Sequence, residues 1–521
     1  MALGKRRQKQ AAFWVETSQL QARGRHPFYA RLNEILDRTK FDSYAERICR
    51  KYYATTMGRP SIAPGVYFRC FLMGYFEGID SERGIAYRVS DSLGLREFLG
   101  LSWEEPTPDH STLSKTRRRM NLGTHQAVFR WVLKRLAAEG LVSGKNLGVD
   151  ATTLEANAAL KSIVRRDDGA SYDEHVTALM KTEGLEEPTP AERQRFDRKR
   201  KKSLSNRDWV NPHDREARIT KMKDGRTHLA YKAEHAVDLE TGAIVALTVQ
   251  PGDRGDTASM PATLAEAGFS VAELAGQAAQ ADAVGPVETV SEVGVERVVA
   301  DKGYHSKQAL QDLAELAEVG VRTVIAEPER KRQKWSGQSA AQAAVYANRR
   351  RLNTQTGKVL MRRRGELIER SFAHLYDTGG MRRVHLRGKN NIAKRALIHA
   401  AAFNLSLILR QMLGVGTARQ AADLVAGLCF AFLKLTQAEK TTPLASESLR
   451  PTARPKKLPC HHQSPSRPKA TLSTACYGPI PWARTLRVTL LRLKTGHRFG
   501  TALRRPDEIG SNDRASSQWA P

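Results

Sequence analysis

Val298-Val299-Ala300-Asp301-Lys302-Gly303-Tyr304-His305-Ser306 starts as an apolar run and ends as a turn. Val295, Val298, Val299 and Ala300 have the character of a strand buried on both faces. The run stops at Asp301, a Gly and a Ser follow, and a helical pattern begins at Lys307. Ala309, Leu310, Leu313, Leu316 and Ala317 then lead to a second apolar run, Val321 to Ala326. This is a strand-helix-strand unit, for which a right-handed crossover is expected. Asp301 falls at the carboxyl end of a central strand, where open α/β sheets place their chemistry. The plainer reading makes Asp301 the cap of the next helix. The stretch itself leaves both open.

Upstream, Leu147 and Val149 alternate with Gly148 and lead to Asp150, a second carboxylate at or within a strand. Between the two Asp lies a hairpin: Tyr231, Ala233, His235 and Val237 alternate, residues 238–242 turn, and Ile244 to Val249 returns. Met260 to Ala275 is helical, and 278–292 reads as a small-residue linker. A third carboxylate comes from a helix expected over 365–376, with Ile368, Phe372 and Leu375 as its apolar stripe. At about 100° per residue, Glu369 borders that stripe and can point along the sheet toward the strand ends. Glu366 lies opposite and can pair with Arg370.

The 521 residues carry a formal net charge of +29. A field of that sign suits a polyanion, because Lys and Arg displace the counterions condensed on phosphates. It does not suit an enzyme of small metabolites. The scattered Cys49, Cys70, Cys429, Cys460 and Cys476 form no disulfide framework, so a reducing compartment is expected. Cys460, His461, His462 and Cys476 fit no standard zinc spacing. The amino terminus lacks the apolar core of a signal peptide, and 396–413 reads as a buried amphipathic helix, so no membrane partner is expected.

The flanking regions are read as follows. Residues 1–25 form a basic arm, and 26–143 form a helical domain with Tyr67, Phe68, Phe71, Leu72 and Tyr75 in its core. Short helices are expected at 81–89 and 93–99, and an amphipathic helix at 128–141 closes the domain. Pro108-Asp109-His110-Ser111-Thr112 opens a helix carrying Lys115, Arg117, Arg118 and Arg119. A short helix, a turn and a basic helix suit a helix-turn-helix reader of DNA; an ordinary bundle with a solvated basic face is the alternative. Residues 160–225, with Lys199, Arg200, Lys201 and Lys202 and the aromatics Phe196 and Trp209, read as a disordered insertion or a loop that orders on phosphates. A second basic insertion, 327–364, holds Arg349 and Arg350, and a basic turn follows with Arg382 and Arg383. A C-terminal helix is expected at 416–437 and a largely disordered basic tail at 438–521.

Asp150, Asp301 and Glu369 brought together would repel unless cations neutralised them. Hard oxygen donors select Mg²⁺ or Mn²⁺, and two such ions about 4 Å apart serve phosphodiester transfer.

With Gly148-Val149-Asp150, Ala156-Asn157-Ala158, Ala300-Asp301-Lys302-Gly303-Tyr304 and Ile368-Glu369-Arg370-Ser371-Phe372 in view, the chain resembles the insertion-sequence DDE transposases of bacteria over residues 25 to 415. Pro108 to Thr112 is similar to the helical domain ahead of such cores. The resemblance implies an RNase H-like catalytic domain at 144–415, an α/β mixed sheet flanked by helices. It implies that Asp150, Asp301 and Glu369 bind the catalytic metal ions. Implied too are double-stranded DNA partners (element ends and target), a homodimer or larger synaptic complex, and a cytoplasmic, nucleoid-associated protein. Lys302 and Arg370 join the expected DNA contacts. Relatives carry a Tyr and an Arg ahead of the Glu and a Lys after it; at those offsets stand Arg362, Gly365 and Tyr376. An inactive DNA-binding copy and an RNase H-like nuclease without joining activity are the competing readings.

Overall fold

The computed structural model describes residues 26–54, 61–102, 105–185, 187–200, 204–222, 225–280, 290–315, 321–329 and 335–417, with 420 and 423. The expected arm, nearly all of the expected helix 416–437, the tail from 438, and Lys201 and Lys202 lie outside the described residues.

Seven helices come first: α1 (Pro27–Arg38), α2 (Phe41–Cys49), α3 (Pro64–Phe76), α4 (Glu82–Asp91), α5 (Leu93–Phe98), α6 (His110–Arg119) and α7 (Leu122–Ala138). Proline opens α1 and α3, where its fixed φ suits the first turn and its missing N–H costs nothing. Ser81, Ser92, Asp109 and Asn121 cap α4 to α7 by accepting a backbone N–H. α3 is the apolar centre: Tyr67, Phe68, Phe71, Leu72 and Tyr75 are each at most 2% exposed. Its buried Arg69 is held by Asp37 and Asp42, both at 2.8 Å. α7 begins six residues before the stretch the sequence suggested.

The sheet is built from β1 (Asn146–Glu155), β4 (Arg218–Lys221), β5 (Thr227–Asp238), β6 (Ile244–Pro251), β7 (Arg297–Ala300) and β8 (Arg322–Ile325). Its order is β6-β5-β1-β7-β8, with β4 beside the start of β5. β1 runs antiparallel to β5 and parallel to β7, and β7 runs parallel to β8. The hairpin is β5 and β6. The strand-helix-strand unit is β7, α11 (Lys307–Glu315) and β8.

Side-chain alternation divides β1. Leu147 and Val149 pack on one face with α10 (Asp256–Gln280), α11 and α12 (Ser339–Asn353). Gly148 faces the other way, onto α13 (Gln355–Phe372). α14 (Lys389–Leu413) also covers that second face, lying against β6, α3 and α7. It is long and apolar enough to cross a membrane, but 94% of that window is buried inside the protein. The helical region and the sheet thus share one hydrophobic core through α14.

The two basic insertions differ from the expectation. Within 160–225, β4 joins the main sheet, and the described residues of 164–210 pack around Trp209, which is 3% exposed. Strands β2 (Val164–Arg165) and β3 (Trp209–Val210) pair, and α8 (Tyr172–Thr182) and α9 (Pro190–Lys199) pack together beside them. Tyr172 and His175 meet the indole at 5.4 and 5.2 Å between ring centres. Trp209 is therefore a core residue. Capping boxes at Ser171 and Thr189 start the two helices, a local signal that charge content had obscured. In the second insertion, α13 begins at Gln355 instead of Gly365 and runs unbroken to Phe372. α10 likewise extends to Gln280, into the expected linker.

Candidate active site

Register brings the two Asp together. Val149 pairs with Ala300 across β1 and β7, so Asp150 and Asp301 come next on adjacent parallel strands. By alternation Asp150 lies on the face covered by α13. Gly148 makes that approach close: a Cβ there would stand 3.0 Å from Ile368 Cδ1 and 2.7 Å from Leu239 Cδ2. Arg364, one turn before Ile368 on α13, fills the space between the carboxylates. Its Nη2 is 2.5 Å from Asp150 Oδ2 and 3.9 Å from Asp301 Oδ2. The Arg364 side chain is 11% exposed, and its Nε is buried without a hydrogen-bond acceptor among the described residues.

Asp301 is fixed by its turn. Its Oδ1 accepts the Gly303 N–H at 2.9 Å. A Cβ at Gly303 would run into the Asp256 carboxylate, which would have to shift to admit a side chain. Asp256 is tied to Lys232 Nζ at 2.5 Å. Tyr304 is fully buried and donates to Glu234 Oε1 at 2.8 Å; Ser259 and Thr263 donate to the same carboxylate at 2.6 and 2.5 Å. Burial, with the Glu234 carboxylate, pushes the Tyr304 hydroxyl far above its ordinary range. Glu234 pairs with Ala151, one position beyond Asp150. The buried end of the Asp301 turn is thereby bonded to the strand beside Asp150.

A second buried network anchors α13. His235, opposite Asp150 on β5, places Nδ1 3.0 Å from Ser371 Oγ and Nε2 2.6 Å from the Tyr376 hydroxyl. The Ser371 hydroxyl donates to Ile368 O, so it accepts from His235 Nδ1–H, and Nε2 accepts from Tyr376. Burial lowers the His235 pKa to about 3, which keeps the ring neutral. Tyr376 lies in a π-helical turn, Ala373–Thr378, that follows α13.

Glu369 is exposed, and its carboxylate has no ion-pair or hydrogen-bond partner among the described residues. Among those residues no three His, Cys, Asp or Glu side chains form a cation-binding group. The structure brings Asp150 and Asp301 together and leaves Glu369 outside that pair. Glu366 pairs with Arg370 at 2.8 Å. A helix starting at Gly365 leaves Arg364 outside it, whereas α13 starts at Gln355. A helix from Gln355 puts Leu360, Arg364, Ile368 and Phe372 on one stripe, the signal that would have found it.

The expected DNA contacts divide in the same way. Lys115 and Arg118 are exposed on α6, and Arg119 lies over the Tyr53 ring at 5.0 Å. Arg117 turns inward, buried against Glu82. It is part of the core and not a DNA contact, because it follows Leu113 and Thr116 on the inner face of α6. Lys302 and Arg350 are exposed, and so are Lys199 and Arg383. Arg200 is engaged by Asp197 at 2.8 Å, Arg349 by Glu327 through two bonds of 2.8 and 2.6 Å, and Arg382 by Asp377 at 2.9 Å.

Two family models match the chain. Residues 16–119 match a transposase domain (DUF772), and residues 198–405 match the transposase DDE domain. Asp301 and Glu369 fall inside the second match, while Asp150 lies between the two. No curated protein and no solved structure matches. The mixed sheet and the DDE match define an RNase H-like core behind a helical region. The chain belongs to the DDE transposases of insertion sequences.

The site fits a divalent cation. Two carboxylates on neighbouring strands share a single guanidinium, a hard-oxygen donor set already arranged around a positive group.

Proposed function

We propose that this transposase cuts DNA at the ends of its element and joins the freed 3′ ends to a target, using Asp150, Asp301 and Glu369. The observation that carries the reading is the juxtaposition of Asp150 and Asp301 over one shared cation, Arg364. Asp150 and Asp301 would hold Mg²⁺ or Mn²⁺, two ions in the expected form, with Glu369 as a further ligand. When bound, the metal supplies activation of the attacking oxygen and neutralises charge on the leaving one.

The residues do the rest. The Tyr304–Glu234 and His235–Ser371–Tyr376 networks hold the carboxylates in register before substrate arrives, which is how fixed groups stabilise developing charge without reorganising. Lys302, exposed beside Asp301, is placed to receive a backbone phosphate. In the cut, a water oxygen bonds to phosphorus and the bond to the 3′ oxygen breaks, leaving a 3′-hydroxyl and a 5′-phosphate. In the joining step that 3′-hydroxyl oxygen bonds to a target phosphorus and a target 3′ oxygen leaves. Lys115, Arg118, Arg119, Arg350 and Arg383 supply exposed positive charge for the duplex. Pairing two ends calls for a homodimer or larger complex, working on chromosomal DNA in the cytoplasm.

The test is strand transfer on a duplex carrying one element end, with Mg²⁺ or Mn²⁺. A joined product is expected from the wild type and none above background from Asp301→Asn. Equal transfer by Asp301→Asn overturns the assignment. Cleavage without joining would make the protein a nuclease, and binding without cleavage an inactive copy.

A further inference from the structure

A groove of about 460 Å³ lies between α2 and the second half of α7, outside the catalytic face. Lys40, Tyr44, Arg47, Trp131, Lys134 and Arg135 line it. Tyr44 and Trp131 stack as its floor, with ring centres 5.9 Å apart and planes 28° from parallel. Arg47 lies over the Tyr44 ring at 5.3 Å, and Arg135 over the Trp131 ring at 5.2 Å. Each guanidinium is thus held over an aromatic face by a cation–π contact. Most charge runs are solvated faces, but this one is built. Arg135 Nε is buried with no hydrogen-bond acceptor among the described residues, so only the outer edge of this guanidinium is left to face the groove. Lys40 is the one non-glycine residue in left-handed backbone among the described residues (φ 53°), which holds it on the groove's rim at the α1–α2 turn. Of the four cations, Lys134 is paired, with Glu273 at 2.7 Å.

We infer that this groove is a second DNA contact, in which Lys40, Arg47 and Arg135 hold the phosphate backbone of duplex DNA. A guanidinium held over a ring keeps its charge, and its N–H donors match phosphate oxygens. Side chains of this kind, with no unpaired carboxylate or amide lining the groove, recognise charge and not base sequence. The inference rests on DNA being the substrate. It adds a site in the helical region that anchors the duplex independently of the carboxylates.

The test is duplex binding by the full chain across a salt series, with lysine acetylation mapped by mass spectrometry in parallel. Lys40 should be protected by DNA, and Lys161 and Lys181, both exposed, should not. The triple variant Lys40→Gln/Arg47→Gln/Arg135→Gln should lower the slope of log K against log salt by about 2 to 3. Lys40→Gln/Arg47→Gln, altering exposed residues alone, should lower it by about 2 and guards against misfolding of the triple variant. Lys161→Gln/Lys181→Gln removes the same charge elsewhere and should leave the slope unchanged. A wild-type protein that binds DNA while Lys40 stays reactive and the groove variants keep the full slope overturns the inference and leaves DNA as substrate. Failure to bind duplex at all overturns both.

Discussion

At the scale of single residues, Arg364 sets the state of the site. Two carboxylates on adjacent strands repel, and one guanidinium between them offsets that repulsion. A divalent ion binding the same oxygens must displace Arg364. Arg364→Gln should therefore raise Mn²⁺ affinity several-fold, read by titration with electron paramagnetic resonance or calorimetry. Unchanged or weaker affinity would mean that the arginine does not compete with the ion. Tyr304 acts at one remove. Tyr304→Phe takes a donor from buried Glu234 and should cost about 1–3 kcal/mol in urea unfolding. It should also weaken Mn²⁺ binding by loosening the turn that carries Asp301. A variant that loses stability but binds Mn²⁺ as tightly as wild type would confine Tyr304 to the core. Asp150 and Asp301 were readable in the sequence because each interrupts or ends an apolar run. Arg364 and Arg117 were not, since a charged residue in a basic run looks solvated until the helix face is known.

At the scale of elements, the α12–α13 corner decides where α13 lies over the Asp150–Asp301 pair. Thr354 caps α13, accepting the Gly357 N–H at 3.0 Å. Gly357 has no room for a side chain: a Cβ would run into the backbone carbonyl of Arg351 and stand 2.9 Å from that of Leu352. Gly357→Ala should cost more than about 2 kcal/mol, because the obstruction is backbone and cannot rotate away. It should also depress metal affinity, since α13 carries Arg364 and Glu369. Thr354→Ala should cost about 1 kcal/mol and leave metal affinity near wild type. Equal effects of the two substitutions on metal binding would show that the corner does not position α13. The hairpin and the β7–α11–β8 unit could be read from periodicity, since each buries a regular face against neighbours close in sequence. α12 and the small sheet of β2 and β3 could not. Their order comes from specific contacts, such as Asn348 bonding both backbone groups of Ile325 on the edge strand at 2.9 and 2.8 Å. Arg351 bonds Thr323 on the same strand, so a residue counted as basic surface closes a sheet edge.

At the scale of the whole molecule, the helical region and the sheet are joined by α14 into one core, and that core holds histidines that must stay neutral. His125 accepts from Tyr67 and donates to Asn121 O, each at 3.0 Å, and burial lowers its pKa to about 3. His235 is likewise lowered to about 3, and His399 on α14 lies well below its ordinary value, again through burial and then through Arg395. The unfolded chain would protonate each near pH 6.5. For a histidine whose folded pKa is depressed, the unfolded state binds more protons below that pH. The contribution is therefore complete above about 6.5 and is lost steadily as the pH falls toward the folded value. Three such groups give a limiting slope of about 4 kcal/mol per pH unit. Urea unfolding at pH 7.5, 6.0 and 5.0 should show stability falling with acid well before the carboxylates titrate. His125→Gln keeps a polar group between Tyr67 and Asn121; it should remove about a third of that slope whatever it does to stability at pH 7.5. A stability that stays flat from pH 7.5 to 5.0, or a slope untouched by His125→Gln, would mean that these rings gain protons without unfolding and that the joint through α14 is not sealed from water.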